Sequence, residues 1–169
     1  TFTPDVASTY EVSYLITKDD VPVYEKTLTF KIKDPNIIVD FEDGKIPGEK
    51  YGGNAGETVV DDGTGNHVLK GQSGDTWMGF QGASINIGKS VTKLKITITQ
   101  SVANPVNLTT DMFWLVTDTS GNLYPTSVEQ NGNEYTLTFG TAFTVLKTFT
   151  LHIIGTMGQV TFDNIMIVE

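Results

Sequence analysis

Apolar and polar residues alternate along most of this chain, and the period is two. Tyr10, Val12, Tyr14 and Ile16 form one row, and Tyr24, Leu28, Phe30 and Ile32 another. Lys18-Asp19-Asp20-Val21-Pro22 between them carries the composition of a turn. The same period recurs in Leu94/Ile96/Ile98, Met112/Trp114/Val116, Tyr135/Leu137/Phe139 and Phe149/Leu151/Ile153, with threonine frequent among them. Turn signals separate the rows at Asp62-Gly63, Gly65-Asn66, Ser73-Gly74, Ser120-Gly121-Asn122 and Asn131-Gly132-Asn133. Many short strands between such turns predict an all-β antiparallel sandwich with almost no helix. Lys45 to Gly65, dominated by glycine and acids, predicts a long ordered loop with at most one short strand.

Two segments at opposite ends of one stretch resemble each other. Val39-Asp40-Phe41-Glu42-Asp43-Gly44 sets Val39 and Phe41 on one side of a strand and Asp40 and Glu42 on the other. In Phe162-Asp163-Asn164-Ile165-Met166-Ile167 the apolar parity slips by one residue, from Val160 and Phe162 to Ile165 and Ile167. That slip predicts a β-bulge at Asp163-Asn164 that re-aims a carboxylate. If these two strands are neighbours, Glu42 and Asp163 meet around a hard cation; otherwise each bonds the amides of its own loop. Pro35 within Lys33-Asp34-Pro35-Asn36 predicts a boundary, dividing the chain into residues 1–35 and 36–169. The first portion holds little more than a hairpin. Such a piece is marginal alone, so it docks on the main sandwich or is half of a larger domain.

Composition narrows the function classes. Net charge is −9 over 169 residues, and the eleven basic residues form no cluster able to neutralise phosphates, which argues against nucleic acid and anionic membranes. No apolar run approaches the length of a membrane helix, so membrane insertion by this chain is not expected. Without cysteine, disulfides, thiolate metal sites and cysteine nucleophiles are excluded. Beginning at Thr1 with no methionine and no leader, the chain is expected to be a mature or trimmed portion of a longer protein.

Two stretches of the chain resemble known families. Thr1-Phe2-Thr3-Pro4-Asp5 and Ser8-Thr9-Tyr10-Glu11-Val12 resemble the second half of bacterial Ig-like domains of the polycystic-kidney-disease type, over about 30 residues. Phe41-Glu42-Asp43-Gly44, Gly65-Asn66-His67-Val68-Leu69-Lys70 and Phe162-Asp163-Asn164-Ile165, in that order, resemble galactose-binding-like jelly rolls, a group that includes many carbohydrate-binding modules. The resemblance implies a jelly-roll sandwich over residues 36–169 and a structural calcium. Its ligands would be Glu42, the carbonyl of Asp40 and Asp163, with a carbonyl near Asn66 closing the loop side; oxygen donors of this kind suit calcium. It further implies a non-catalytic carbohydrate-binding module of a secreted or outer-membrane-anchored surface lipoprotein, from a polysaccharide-degrading Gram-negative bacterium. The Ig-like segment would be a spacer between this module and other domains of a larger surface protein.

A polysaccharide or oligosaccharide ligand asks for aromatic platforms beside planar polar groups. The candidates are Trp77, Trp114, Tyr51 and Tyr124, with Asn54, Gln72, Asp75 and Gln81 as polar companions. Trp114 lies in a run apolar on both parities, so either Phe113 and Leu115 or Met112 and Trp114 face the core. Plain core packing is the competing account of each tryptophan. Against an enzyme stand the absence of a Gly-x-Ser-x-Gly elbow and of glycine-rich phosphate loops. The two histidines, His67 and His152, each sit in an apolar strand and suit structural roles. Glu57, Asp61, Asp62 and Asp75 supply carboxylates for a glycosidase only if two of them flank a cleft. Asn107-Leu108-Thr109 matches a glycosylation sequon that matters only in a glycosylating host. The expected function is therefore glycan binding without catalysis. The alternatives are an adhesion or structural module that contacts protein, and a polysaccharide-cleaving enzyme. The adhesion alternative requires both tryptophans buried and a flat apolar patch elsewhere.

Overall fold

The computed structural model describes residues 8–52, 56–72 and 74–168. The chain is all-β and antiparallel, with no α-helix among the described residues. It divides into two compact units, Thr1–Asn36 and Ile37–Glu169.

In the first unit β1 (Ser8–Lys18) pairs with β2 (Val21–Ile32). Asp19 and Asp20 at the tip have φ of 53° and 61°, the left-handed pair that a two-residue hairpin loop with native twist requires. Tyr10 opposes Phe30, Val12 opposes Leu28 and Ile16 opposes Tyr24 on one side, while Glu11/Thr29 and Ser13/Thr27 fill the other. Tyr24, Leu28 and Phe30 of the apolar side are exposed.

The second unit is one curled sheet. Its strands are β3 (Ile37–Val39), β4 (Glu49–Lys50), β5 (Thr58–Asp61), β6 (His67–Gln72), β7 (Thr76–Gln81), β8 (Ile85–Gln100), β9 (Phe113–Thr117), β10 (Ser127–Asn131), β11 (Glu134–Ile153) and β12 (Gln159–Ile167). The strand order is β4-β7-β11-β8-β12-β6-β5, with β9 and β10 also on β11 and β3 on β12. β11 makes the curl. Its first residues, Glu134–Thr138, pair with β8 and β10, whereas Phe149–Leu151 lie between β7 and β9. Between these halves the register shifts twice, at Thr138/Phe143 and Phe143/Val145, as a strand bent by bulges does. One layer is thus β9, the end of β11, β7 and β4; the facing layer is built around β8, β12, β6 and β5.

Alternation explains what lies between the layers. Leu94, Ile96 and Ile98 of β8, Tyr135 and Leu137 of β11, and Val160 and Phe162 of β12 are buried. Phe149 joins the layers, with ring centroids 6.3 Å from Phe80, 6.3 Å from Phe113 and 5.8 Å from Phe162. The slip in β12 falls where the parity predicts it: pairing with β8 shifts between Asp163 and Met166, Asn164 has φ 48°, and Ile165 and Ile167 return to the core. The stretch from Lys45 to Gly65 differs from expectation. It contains both β4 and β5, held by ladder bonds to β7 and β6; Thr58-Val59-Val60 of β5 also favours a strand by composition, whereas Glu49-Lys50 of β4 does not.

The bend of β11 is pinned by Asp118. Its carboxylate accepts from the Thr144 hydroxyl at 2.7 Å and from the Thr144 and Val145 amides at 3.0 Å each. These donors, the hydroxyl foremost, bring its pKa down from 3.8 to about 2. A depressed carboxylate stabilises the fold above its unfolded pKa, and loses that contribution as pH falls from about 3.8 through about 2. Asp118→Ala is therefore expected to lower Tm at pH 6, with the gap to wild type closing between pH 4 and 2. A gap constant across that range in scanning calorimetry would remove this role from Asp118.

Candidate functional site

The outer side of the β9-β11-β7-β4 layer gathers the aromatic candidates. Phe113 and Leu115 of β9 point into the core at 0% exposure, which turns Trp114 outward. Met112 does not join it; it is buried in a 3-10 turn spanning Thr110–Met112. Trp114 opposes Thr150 of β11, and Thr150 opposes Gly79 of β7. Tyr51, just past β4, bonds the Gly79 carbonyl through its amide at 3.2 Å. Its ring meets Trp114 edge-on with centroids 5.4 Å apart. Thr150 and Gly79 are the small residues beneath this contact, and Thr150 is fully buried. On the far side of β9, Leu115 bridges Leu123, so alternation places the exposed Tyr124 beside Trp114 on the outer side.

The next row along β11 is Trp77 opposite His152. Their rings stack with centroids 4.9 Å apart and 25° between planes. His152 Nε2 lies 3.1 Å from Asp75 Oδ1. Asp111 is close enough to feel His152: the Thr109 hydroxyl, and more weakly this imidazole, hold its carboxyl below the usual range. The remaining polar groups are Asn122, whose Oδ1 accepts the Trp114 indole N–H at 2.9 Å, and Gln81, whose amide donates to the Lys50 carbonyl. Trp77, Trp114, Tyr51 and His152 are all half-buried, with ring area left to the solvent. The four aromatic candidates thus share one sheet face, together with Asp75 and Gln81. Gln72 is exposed at the end of β6, and Asn54 lies outside the described residues.

No family model, curated protein or solved structure matches this chain.

The acidic candidates meet elsewhere, around β3 and β12, which are paired. Phe41 has φ 55°, a left-handed kink for a bulky residue, and turns the acids after β3 toward β12. Asp40 Oδ1 accepts the Glu42 amide at 3.3 Å, and Glu42 Oε1 accepts the His67 amide at 3.2 Å. Asp163, 5% exposed, accepts on Oδ2 from the side-chain amides of Asn164 at 2.6 Å and Asn66 at 3.2 Å. Its Oδ1 is buried with no hydrogen-bond partner. Burial first, then the neighbouring charges of Glu42 and Asp40, push the Asp163 carboxyl above its usual range. An orphaned buried oxygen between like charges fits a hard cation, which would supply the missing positive charge. Among the described residues no three acidic, histidine or cysteine side chains converge closely enough to hold a metal by themselves, so backbone carbonyls would be needed.

Asp61 and Asp62 are spent within their own turn, accepting from Gly63, Thr64, Gly65 and Asn66. Glu57 is buried at 1% exposure. His152 is the residue that sequence reasoning assigned to structure and the fold places on the outer face. The signal for it is cross-strand, since only the pairing of β11 with β7 sets it against Trp77. No helix among the described residues is long and apolar enough to cross a membrane.

Proposed function

We propose that this chain is a non-catalytic carbohydrate-binding module of a secreted or cell-surface bacterial protein. The observation that carries the proposal is the assembly of Trp77, Trp114, Tyr51 and Tyr124, partly open to solvent, on one sheet face beside Asp75, Asn122 and His152. Sugar C–H faces stack on such rings, and the flanking carboxylates and amides accept hydroxyl protons. Because hydroxyls must be desolvated first, a single site yields modest affinity, about −4 to −8 kcal/mol. The unit from Ile37 onward would be a jelly roll, and the hairpin unit part of an Ig-like spacer. Screening the chain on a glycan array tests the reading. One glycan class is expected to bind, and Trp114→Ala to weaken it at least tenfold while circular dichroism stays unchanged. A folded chain that binds no glycan would end the proposal.

Calcium at Asp163, Glu42 and the Asp40 carbonyl forms part of the same proposal, as a brace between β3 and β12. At free calcium 100-fold above its Kd, such a site adds about 2.7 kcal/mol of stability. Calcium is expected to raise Tm of the wild type and leave Asp163→Asn unmoved; equal melting of the wild type in calcium and in chelator would exclude the brace. A second reading, protein adhesion, draws on the exposed apolar side of the hairpin unit at Tyr24, Leu28 and Phe30.

A further inference from the structure

We infer that the aromatic face takes an extended, uncharged oligosaccharide, lying across β11 from Trp114 to Trp77. This rests on the reading of that face as a glycan platform. The first support is spacing. β9 and β7 flank β11, and Trp114 and Trp77 oppose Thr150 and His152, two residues apart along it. Two inter-strand steps and two residues of rise separate their Cα atoms by about 12 Å, the length of roughly two to three pyranose rings. A monosaccharide covers one tryptophan; a short oligomer covers both.

The second support is charge. The ionic side chains that register or contact places on this side are Glu49 (opposite Gln81) and Asp75, both acidic. His152 is already engaged by Asp75. Lys50 opposes Phe80 and so lies on the other side of its strand from Tyr51, and Lys147 falls in the bulge of β11 beyond the platform. All eleven basic residues of the chain are lysines, so the planar guanidinium fork that grips carboxylate and sulfate esters is absent altogether. The face offers acceptors to hydroxyl donors and meets uronate or sulfate with like charge.

The test uses the full chain and its two tryptophans, whose indole N–H groups give two resolvable signals in a nitrogen–proton NMR spectrum. Cello-, manno- and galacto-oligosaccharides of one to six units are titrated beside oligogalacturonates of the same lengths. In at least one neutral series both indoles are expected to shift. Affinity should rise at least tenfold from one unit to three and then level, and the matching uronate should bind about tenfold more weakly at low salt. A monosaccharide as tight as its trimer, or a shift of one indole alone, would overturn the extended mode. Uronates binding as well as neutral chains through the same indoles would overturn the charge class. Indoles that respond to no series would remove the platform reading itself. Because the wild type carries the readout, no outcome depends on a variant that fails to fold.

Discussion

Gly79→Ala is expected to destabilise the larger unit by on the order of 3 kcal/mol. Gly79 has φ 148°, where side chains are strained, and a Cβ placed there would stand 2.0 Å from the Phe149 carbonyl oxygen. That oxygen belongs to β11, so relief requires the β7–β11 ladder to open just where Tyr51 reaches across toward Trp114. Gly82→Ala supplies the control. Gly82 also has positive φ, at 66°, but its added Cβ would meet nothing within 4 Å. Its cost should stay near 1 kcal/mol. Urea unfolding of the two variants separates backbone clash from backbone strain, and equal midpoints would mean that β7 and β11 do not approach this closely. Gly79→Ala should also perturb tryptophan emission, through the Tyr51–Trp114 contact, before unfolding begins.

The other large effect belongs to Phe149→Ala, expected to cost about 4 kcal/mol. The ring is fully buried and packs on Phe80, Phe113 and Phe162, so its removal opens a void shared by both layers. Neighbours fixed on β7, β9 and β12 cannot collapse into it together, which places the cost toward the upper part of the range for large-to-small changes. A fall in Tm of roughly 15 °C follows for a domain of this size. A fall under about 4 °C would show that the layers re-pack freely around the gap.

Local periodicity made much of this fold legible. The rows of Leu94 and Tyr135 alternate because one side of each strand faces water, and period two records that directly. The bulge at Asp163 was readable for the same reason, as a parity flip within one strand. What the sequence could not tell was the side on which Trp114 falls, because both parities of Phe113–Val116 are apolar. Pairing with Thr150 decides it, and that partner is chosen by the register of β11. His152 stayed hidden likewise, since its neighbours in sequence are core residues and its stacking partner lies on another strand. β4, a Glu-Lys pair, carries little strand propensity and exists through pairing alone. The aromatic identities of the site were therefore legible, whereas their convergence on one face was not.

The position of β12 bears on how the protein is made. This strand, after all the others in order, lies between β8 on one side and β3 and β6 on the other. During synthesis every earlier strand leaves the ribosome before the one that joins them. Until Gln159–Ile167 emerges, β8 and β6 present bare edges to each other and to other nascent chains. Closure of the sheet is then a late, long-range event, of the slow kind that non-local pairing imposes. Emergence of Gln159–Ile167, and not that of any earlier strand, sets the first moment at which the larger unit can close its sheet.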